Sequence, residues 1–244
     1  MFNNLYPREI QHDRNTMFKN LFGEDTENST VLDYGGNTGN LLFFSDGKIK
    51  EENYTCVDLD QNALDVGEKD YPNAEWLKYN KYNWSYNHSG STHPDYPILR
   101  NETVDYIFSY SVFSHSDFLD LLLTLQWMRS LKAKKIALSI ISTEDKVLTN
   151  WFWQRRVQEY GSCLDFRPNI ANCESTFSLF DNNFVVEGTT SLAPYNSIHL
   201  ITVYNPDWLK KRLATEGFDI EIVRPRGSYA SFIVWEDPTS NDNS

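Results

Sequence analysis

A glycine turn preceded by an acidic residue is the stretch of this sequence best suited to hold a ligand. Asp33 ends a short β-forming run, and the glycines that follow before the next apolar run are Gly35, Gly36 and Gly39. Glycines permit positive φ and let the backbone approach a ligand closely. The order predicts a strand, a tight turn and a helix, with amide N–H groups facing a ligand beyond the carboxyl end of the strand.

A second acidic residue follows the next β-forming run. Asp58 stands 19 residues after Gly39 and precedes a predicted helix from about Asn62 to Lys69, which closes a βαβ unit. A carboxylate at this place can accept hydrogen bonds from both hydroxyls of a ribose. The alternative is a helix N-cap or a solvated loop carboxylate, but the glycine turn upstream favours the ribose.

A serine-rich stretch that ends in a histidine is the third candidate. The predicted strand 104–109 runs into Tyr110 and Ser111, and His115 follows four residues later. An imidazole titrates near neutral pH, so His115 could act as a general base or anchor a substrate. Alternatively, it caps a helix or bonds to a backbone carbonyl.

In this order, the stretches resemble the motifs of the Rossmann-like, class I S-adenosylmethionine (SAM) methyltransferases. The glycine turn resembles motif I, commonly D/E-x-G-x-G-x-G, with Asn37 where the middle glycine usually stands. Asn tolerates positive φ better than most residues. The stretch Val104–His115 resembles motif IV and its sequel, often written F-D-x-V-x-S-x-S-V-F-x-H. The glycines do not form the G-x-G-x-x-G fingerprint of dinucleotide-binding proteins.

The resemblance implies SAM as the cofactor. Asn80 ends the third predicted strand, where the family often has an Asp that meets the adenine amino group, and an amide can accept from N6 and donate to N1. The resemblance implies His115 as the candidate catalytic residue and no metal ligands. The implied cofactor-binding residues are Asp33, Gly35, Gly36, Gly39, Asp58, Leu59, Asn80, Ser109, Tyr110 and Ser111.

The elements that must position these residues alternate between strands and helices, which predicts an α/β fold. The resemblance implies a Rossmann-like, mostly parallel sheet of seven strands in the order 3-2-1-4-5-7-6, flanked by helices. A predicted helix at 117–131 is apolar nearly all round and is expected to be well buried. The aromatic loop 81–101 lies next to the predicted adenine site, where it forms one wall of the pocket or is a surface excursion.

The length of 244 residues is sufficient for one domain. We expect a single SAM-binding domain over residues 1–244. Its expected parts include a leader or cap at 1–30, a cap insertion at 143–197 and a disordered tail at 236–244.

Composition restricts the classes of partner. A formal net charge of −12 lacks the basic footprint of a nucleic-acid binder, and there is no apolar run long enough for a membrane span. The odd number of cysteines, three, fits neither a disulfide framework nor a zinc site. We therefore expect a cytoplasmic protein that acts on a small-molecule substrate, without nucleic-acid or membrane partners, and a monomer or a homodimer is compatible with the sequence.

Three functions are compatible with these motifs. The first is methyl transfer from SAM to an oxygen or nitrogen of a small molecule. The second is a SAM-consuming enzyme that cleaves or cyclises the aminocarboxypropyl chain and releases methylthioadenosine. The third is a SAM-binding protein without catalytic activity, because a fold alone does not determine chemistry.

Overall fold

The described part of the chain includes the sheet of the predicted domain and helices on both of its faces. The computed structural model describes residues 14–23, 26–45, 47–83, 86–101, 103–116, 118–142, 144–145, 203–226, 228 and 230–239. The cap insertion predicted at 143–197 lies outside these residues except for 144–145. The predicted leader is described from residue 14 onward, apart from 24–25, and the predicted tail as far as residue 239.

Eight strands of the described residues form one sheet. They are β1 Val31–Tyr34, β2 Tyr54–Asp58, β3 Glu75–Lys78, β4 Tyr106–Ser109, β5 Lys135–Ser142, β6 Val203–Tyr204, β7 Glu221–Val223 and β8 Ser231–Glu236. Their order is β3-β2-β1-β4-β5-β8-β7, and β6 pairs with the end of β5 outside this path. The first five strands are parallel, whereas β8 runs antiparallel to β5 and β7. With the two-residue β6 left out of the count, this is the predicted 3-2-1-4-5-7-6 order.

Two of the helices begin at a side chain that caps them. The α-helices are α1 Arg14–Phe22, α2 Asn40–Phe44, α3 Gln61–Asp70, α4 Phe118–Ser130 and α5 Pro206–Thr215. The Asp60 side chain accepts from the amide of Asn62 at the start of α3. At α5, the Asn205 side chain accepts from two backbone amides and Pro206 is the first helical residue, which is a favourable start for a helix.

Both faces of the sheet are covered. Residues of α1, α2 and α3 pack on the face that carries Val31 and Phe108, and residues of α4 and α5 pack on the face that carries Leu32 and Ile107. Successive residues of a strand point to opposite faces, so both sets of strand residues are buried. This explains the nearly continuous apolar runs of the central strands.

The prediction that helix α4 is well buried is wrong for one side of the helix. Leu119 and Leu123 are 61% and 45% exposed, whereas Leu121 and Leu125 are fully buried. The reason is that the sheet covers only one face of α4. Within the described residues, no helix has both the length and the apolar character needed to cross a membrane.

Candidate functional site

The carboxylate of Asp58 joins the loops that follow β1 and β2. Its Oδ2 accepts from the backbone amide of Asn37 at 2.8 Å, and its Oδ1 accepts from the amide of Asp60 at 2.9 Å. An ionised carboxylate has about four lone-pair sites. After these two hydrogen bonds, Asp58 therefore retains acceptor capacity for the two hydroxyls of a ribose.

Two opposing effects act on the charge of Asp58. Burial raises the pKa of its carboxyl, and the hydrogen bonds from the backbone amides of Asp60 and Asn37 oppose the rise. The net direction is upward. The ionised form, which can accept from hydroxyls, therefore requires a higher pH than an ordinary Asp does.

The glycine turn needs left-handed backbone at three positions. Gly35 has φ 78°, Asn37 has φ 56° and Gly39 has φ 82°. Asn37 thus takes the positive φ that its residue type tolerates. A Cβ on Gly35 would lie 2.1 Å from Cγ2 of Val112, so the loop after β4 packs directly on the turn.

Asp33 lies beneath the turn rather than at the open edge. It is buried, and its Oδ2 accepts from the hydroxyl of Tyr54 at 2.8 Å. A Cβ on Gly36 would stand 2.8 Å from both Asp33 Oδ2 and Cys56 Sγ. Burial, together with the nearby Asp33 carboxylate, raises the pKa of Tyr54, which stays a neutral donor. Asp33 and Tyr54 therefore support the turn from below.

Tyr54 is a residue that the sequence argument missed. It is the first residue of β2, and β2 pairs with β1 in parallel register, Val31 with Tyr54 and Asp33 with Cys56. The sequence contained a weak signal for it, since Tyr54 opens the β-forming run that leads to Asp58, and a buried tyrosine hydroxyl usually has a hydrogen-bond partner. Its partner could only be identified once the register was known.

A buried hydroxyl without a partner marks the carboxyl end of β4. Ser109 is fully buried, and its Oγ makes no hydrogen bond among the described residues. Leaving such a group unsatisfied costs about 1–3 kcal/mol, so a ligand that reaches it gains an available donor and acceptor. Ser111 has φ 64° and donates its amide to Ser139 Oγ, and Tyr110 stacks on Phe108.

Asn80 lies next to Asp58 at the same edge. The amide of Tyr79 donates to the backbone carbonyl of Asp58 at 2.9 Å, and Asn80 follows as an exposed residue. Leu59, by contrast, packs against the core on the α4 face.

His115 is placed only by its backbone. It ends the short 3-10 helix Phe113–His115 that follows β4, and its side chain lies outside the described part of the structure. Among the described residues, no group of three or more His, Cys, Asp or Glu side chains is arranged to hold a metal ion.

The groups at this edge fit a nucleoside-bearing cofactor such as SAM. Asp58 would offer acceptors to the ribose and Asn80 an amide to the base, and the buried hydroxyl of Ser109 has no partner among the described residues. The roles of the ten cofactor-binding residues implied by the sequence remain predictions. The structure brings the ends of β1, β2, β3 and β4 together, and it sets Asp33 below the turn.

Comparisons with known proteins agree with this geometry. Residues 32–133 match the family model described as a methyltransferase domain. No curated protein matches the sequence significantly. The fold is similar to that of DesVI from Streptomyces venezuelae, with TM-score 0.52, 12% identity and 93% of each chain covered. It is also similar to a SAM-dependent methyltransferase from Aquifex aeolicus, with TM-score 0.50, 16% identity, and 96% of this chain and 95% of that chain covered.

The contact between Gly35 and Val112 can be tested against a matched glycine. Gly35 and Gly47 share φ 78°, but a Cβ on Gly47 would meet nothing within 4 Å. Gly47→Ala should cost roughly 1–2 kcal/mol from backbone strain alone. Gly35→Ala should cost about 1–3 kcal/mol more through overpacking, as measured by urea unfolding.

Val112→Ala provides the internal control for this comparison. When Val112→Ala is combined with Gly35→Ala, the double variant should regain most of the additional stability that Gly35→Ala loses, because the clashing Cγ2 atom is removed. Equal losses in the two glycine variants would show that Val112 does not press on the turn.

Proposed function

We propose that the chain transfers the methyl group of SAM to an oxygen or nitrogen of a small molecule, because residues 32–133 match the family model described as a methyltransferase domain. The observation that carries the proposal is the carboxylate of Asp58, held by two backbone amides beside the glycine turn of that domain. When bound, SAM supplies an electrophilic methyl group on its sulfonium. The chain has to bind SAM and the acceptor, orient them for transfer and shield them from water.

The net charge favours a small acceptor over a nucleic acid. The sequence has 34 Asp and Glu against 22 Lys and Arg. A nucleic-acid enzyme gains affinity from phosphate contacts made by clustered basic residues. An acidic chain would instead repel such a polyanion, at least at low ionic strength.

The loop 81–101 is our proposed wall of the pocket. It is docked on α4 by three parallel rings, with Tyr96 4.9 Å from Tyr79 and 4.7 Å from Trp127 between centroids. The Tyr96 hydroxyl also shares a hydrogen bond with Thr124 at 3.0 Å. These contacts fix the loop beside Asn80. We assign the rest of the acceptor side to the cap insertion 143–197.

His115 is the residue that we assign to proton transfer. Methyl transfer from a sulfonium requires alignment and a deprotonated nucleophile. A hydroxyl acceptor benefits from a general base, whereas a carboxylate or neutral amine needs none. The placement of His115 three residues after Val112, which packs on the glycine turn, supports this role.

Incubation of the purified protein with SAM tests the proposed function. With a panel of hydroxyl and amine acceptors, the proposal predicts acceptor-dependent formation of S-adenosylhomocysteine. Release of methylthioadenosine from SAM alone would show the chain-cleaving or cyclising activity instead. Binding of SAM without turnover of any acceptor would indicate a protein without catalytic activity.

Asp58→Ala should weaken SAM binding by roughly 10- to 100-fold, because hydrogen bonds to a charged group contribute about 1.5–3 kcal/mol. The neighbouring Asp60 provides the control, since its side chain caps α3. Asp60→Ala should lose about 1 kcal/mol of stability and keep its SAM affinity within a few-fold.

The same site predicts a pH dependence of binding. The pKa of Asp58 is raised, so its carboxylate becomes protonated at a higher pH than an ordinary Asp. As the pH is lowered, the SAM affinity of the wild type should therefore begin to fall above the usual pKa of Asp, about 3.9. Titration calorimetry measures both effects. Unchanged affinity in the Asp58 variant would remove this carboxylate from the site.

His115→Ala should lower turnover of a hydroxyl acceptor roughly 10²- to 10⁴-fold and leave SAM affinity nearly intact. An unperturbed imidazole has a pKa of about 6.5, so wild-type turnover should rise with pH through that region and the variant should lose the rise. A variant that turns over within a few-fold of the wild type would contradict general-base catalysis.

A further inference from the structure

The amide of Asn87 occupies a fixed and unusual position for a loop side chain. Asn87 is 4% exposed, although it lies in the aromatic loop between β3 and β4. Its Nδ2 donates to Asn80 Oδ1 at 3.2 Å and to the backbone carbonyl of Lys81 at 3.0 Å. Both hydrogens of this amide therefore have partners.

This pair of bonds determines which way the Asn80 amide points. The Lys81 carbonyl can only accept, so the atom of Asn87 that faces it is the nitrogen and not the oxygen. The same nitrogen faces Asn80, which must present its oxygen in return. The Nδ2 of Asn80 is then directed away from Asn87, and Asn80 is exposed at the ligand-bearing edge.

The backbone around Asn87 closes into a compact loop. Asn87 and Asn83 exchange two backbone hydrogen bonds of 3.0 Å, and the amide of Ser91 donates to the Asn80 carbonyl at 2.8 Å. A Cβ on Gly90 would lie 2.4 Å from the carbonyl carbon of Lys81. Because the chain returns onto itself so closely, these backbone hydrogen bonds fix the position of Asn87 relative to Asn80.

We infer that Asn87 is a positioning residue that orients Asn80 to recognise adenine as a hydrogen-bond donor to N1. The inference rests on the proposed function and deepens it. A carboxylate in the place of Asn80 offers only acceptors and would pair with the N6 amino group. Asn80, with its oxygen turned toward Asn87, directs its NH₂ group to N1, the acceptor on that edge of the base.

The test compares two ligands that differ in one atom. S-adenosylhomocysteine carries N1, and its 1-deaza analogue has a C–H group there and cannot accept a hydrogen bond. The wild type should bind the 1-deaza analogue roughly three- to tenfold more weakly, the usual contribution of one hydrogen bond. Calorimetry on the full chain gives the ratio of the two dissociation constants without any turnover.

Two variants separate orientation from general support. Asn80→Asp changes an exposed residue and keeps an oxygen that accepts from Asn87, but its side chain cannot donate to N1. The ratio of the dissociation constants of the two ligands should therefore fall close to one in this variant. Asn87→Ala releases the Asn80 amide, so its ratio should also fall toward one. A merely structural role of Asn87 would weaken both ligands equally and leave the ratio unchanged.

A surface amide elsewhere provides the control. Asn73 is exposed and bonds to Glu51 before β3, so Asn73→Ala should keep the wild-type ratio. Equal binding of the two ligands by the wild type, or a wild-type ratio in Asn80→Asp, would overturn the inference while leaving SAM binding in place. Failure of the wild type to bind S-adenosylhomocysteine at all would overturn the proposed function together with the inference.

Discussion

The site depends on one partly buried carboxylate that holds two loops together. Asp58 accepts from the amides of Asn37 and Asp60, which belong to the turns after β1 and β2. Charge-assisted hydrogen bonds to backbone amides are stronger than neutral ones, so this carboxylate fixes the distance between the glycine turn and the next loop. A ligand that also bonds to Asp58 is recognised by a group already held in place.

The glycine turn is confined from two sides. Asp33, held by the hydroxyl of Tyr54, fills the space below it, and Val112 closes it from the loop after β4. There is no room for a Cβ at Gly36, because it would lie 2.8 Å from both Asp33 Oδ2 and Cys56 Sγ. The acidic residue before the turn therefore acts through packing and hydrogen bonding from beneath. The carboxylate at the open edge is Asp58, and we propose recognition of the ligand for this residue alone, whereas Asp33 supports the turn.

The sequence predicted those features that depend on local chemistry. The β-forming runs predicted the bounds of β1 and β2 to within about a residue. The residue types alone predicted that Asn205 caps α5. The partner of Tyr54 depends on the register between β1 and β2, which is set by pairing across the sheet. The bond from Asn87 to Asn80 lies in a loop without helical or strand periodicity, so no pattern in the sequence indicated it. The exposed side of α4 was missed because an apolar helix does not reveal how many neighbours cover it.

The most direct test of a SAM site at this edge is a crystal structure of the full chain with S-adenosylhomocysteine. The account predicts ribose hydroxyls on Asp58, the base toward Asn80, and a polar group of the ligand within hydrogen-bond distance of Ser109 Oγ. Ligand density at any other place on the sheet, or density at this edge with the ribose away from Asp58, would contradict it.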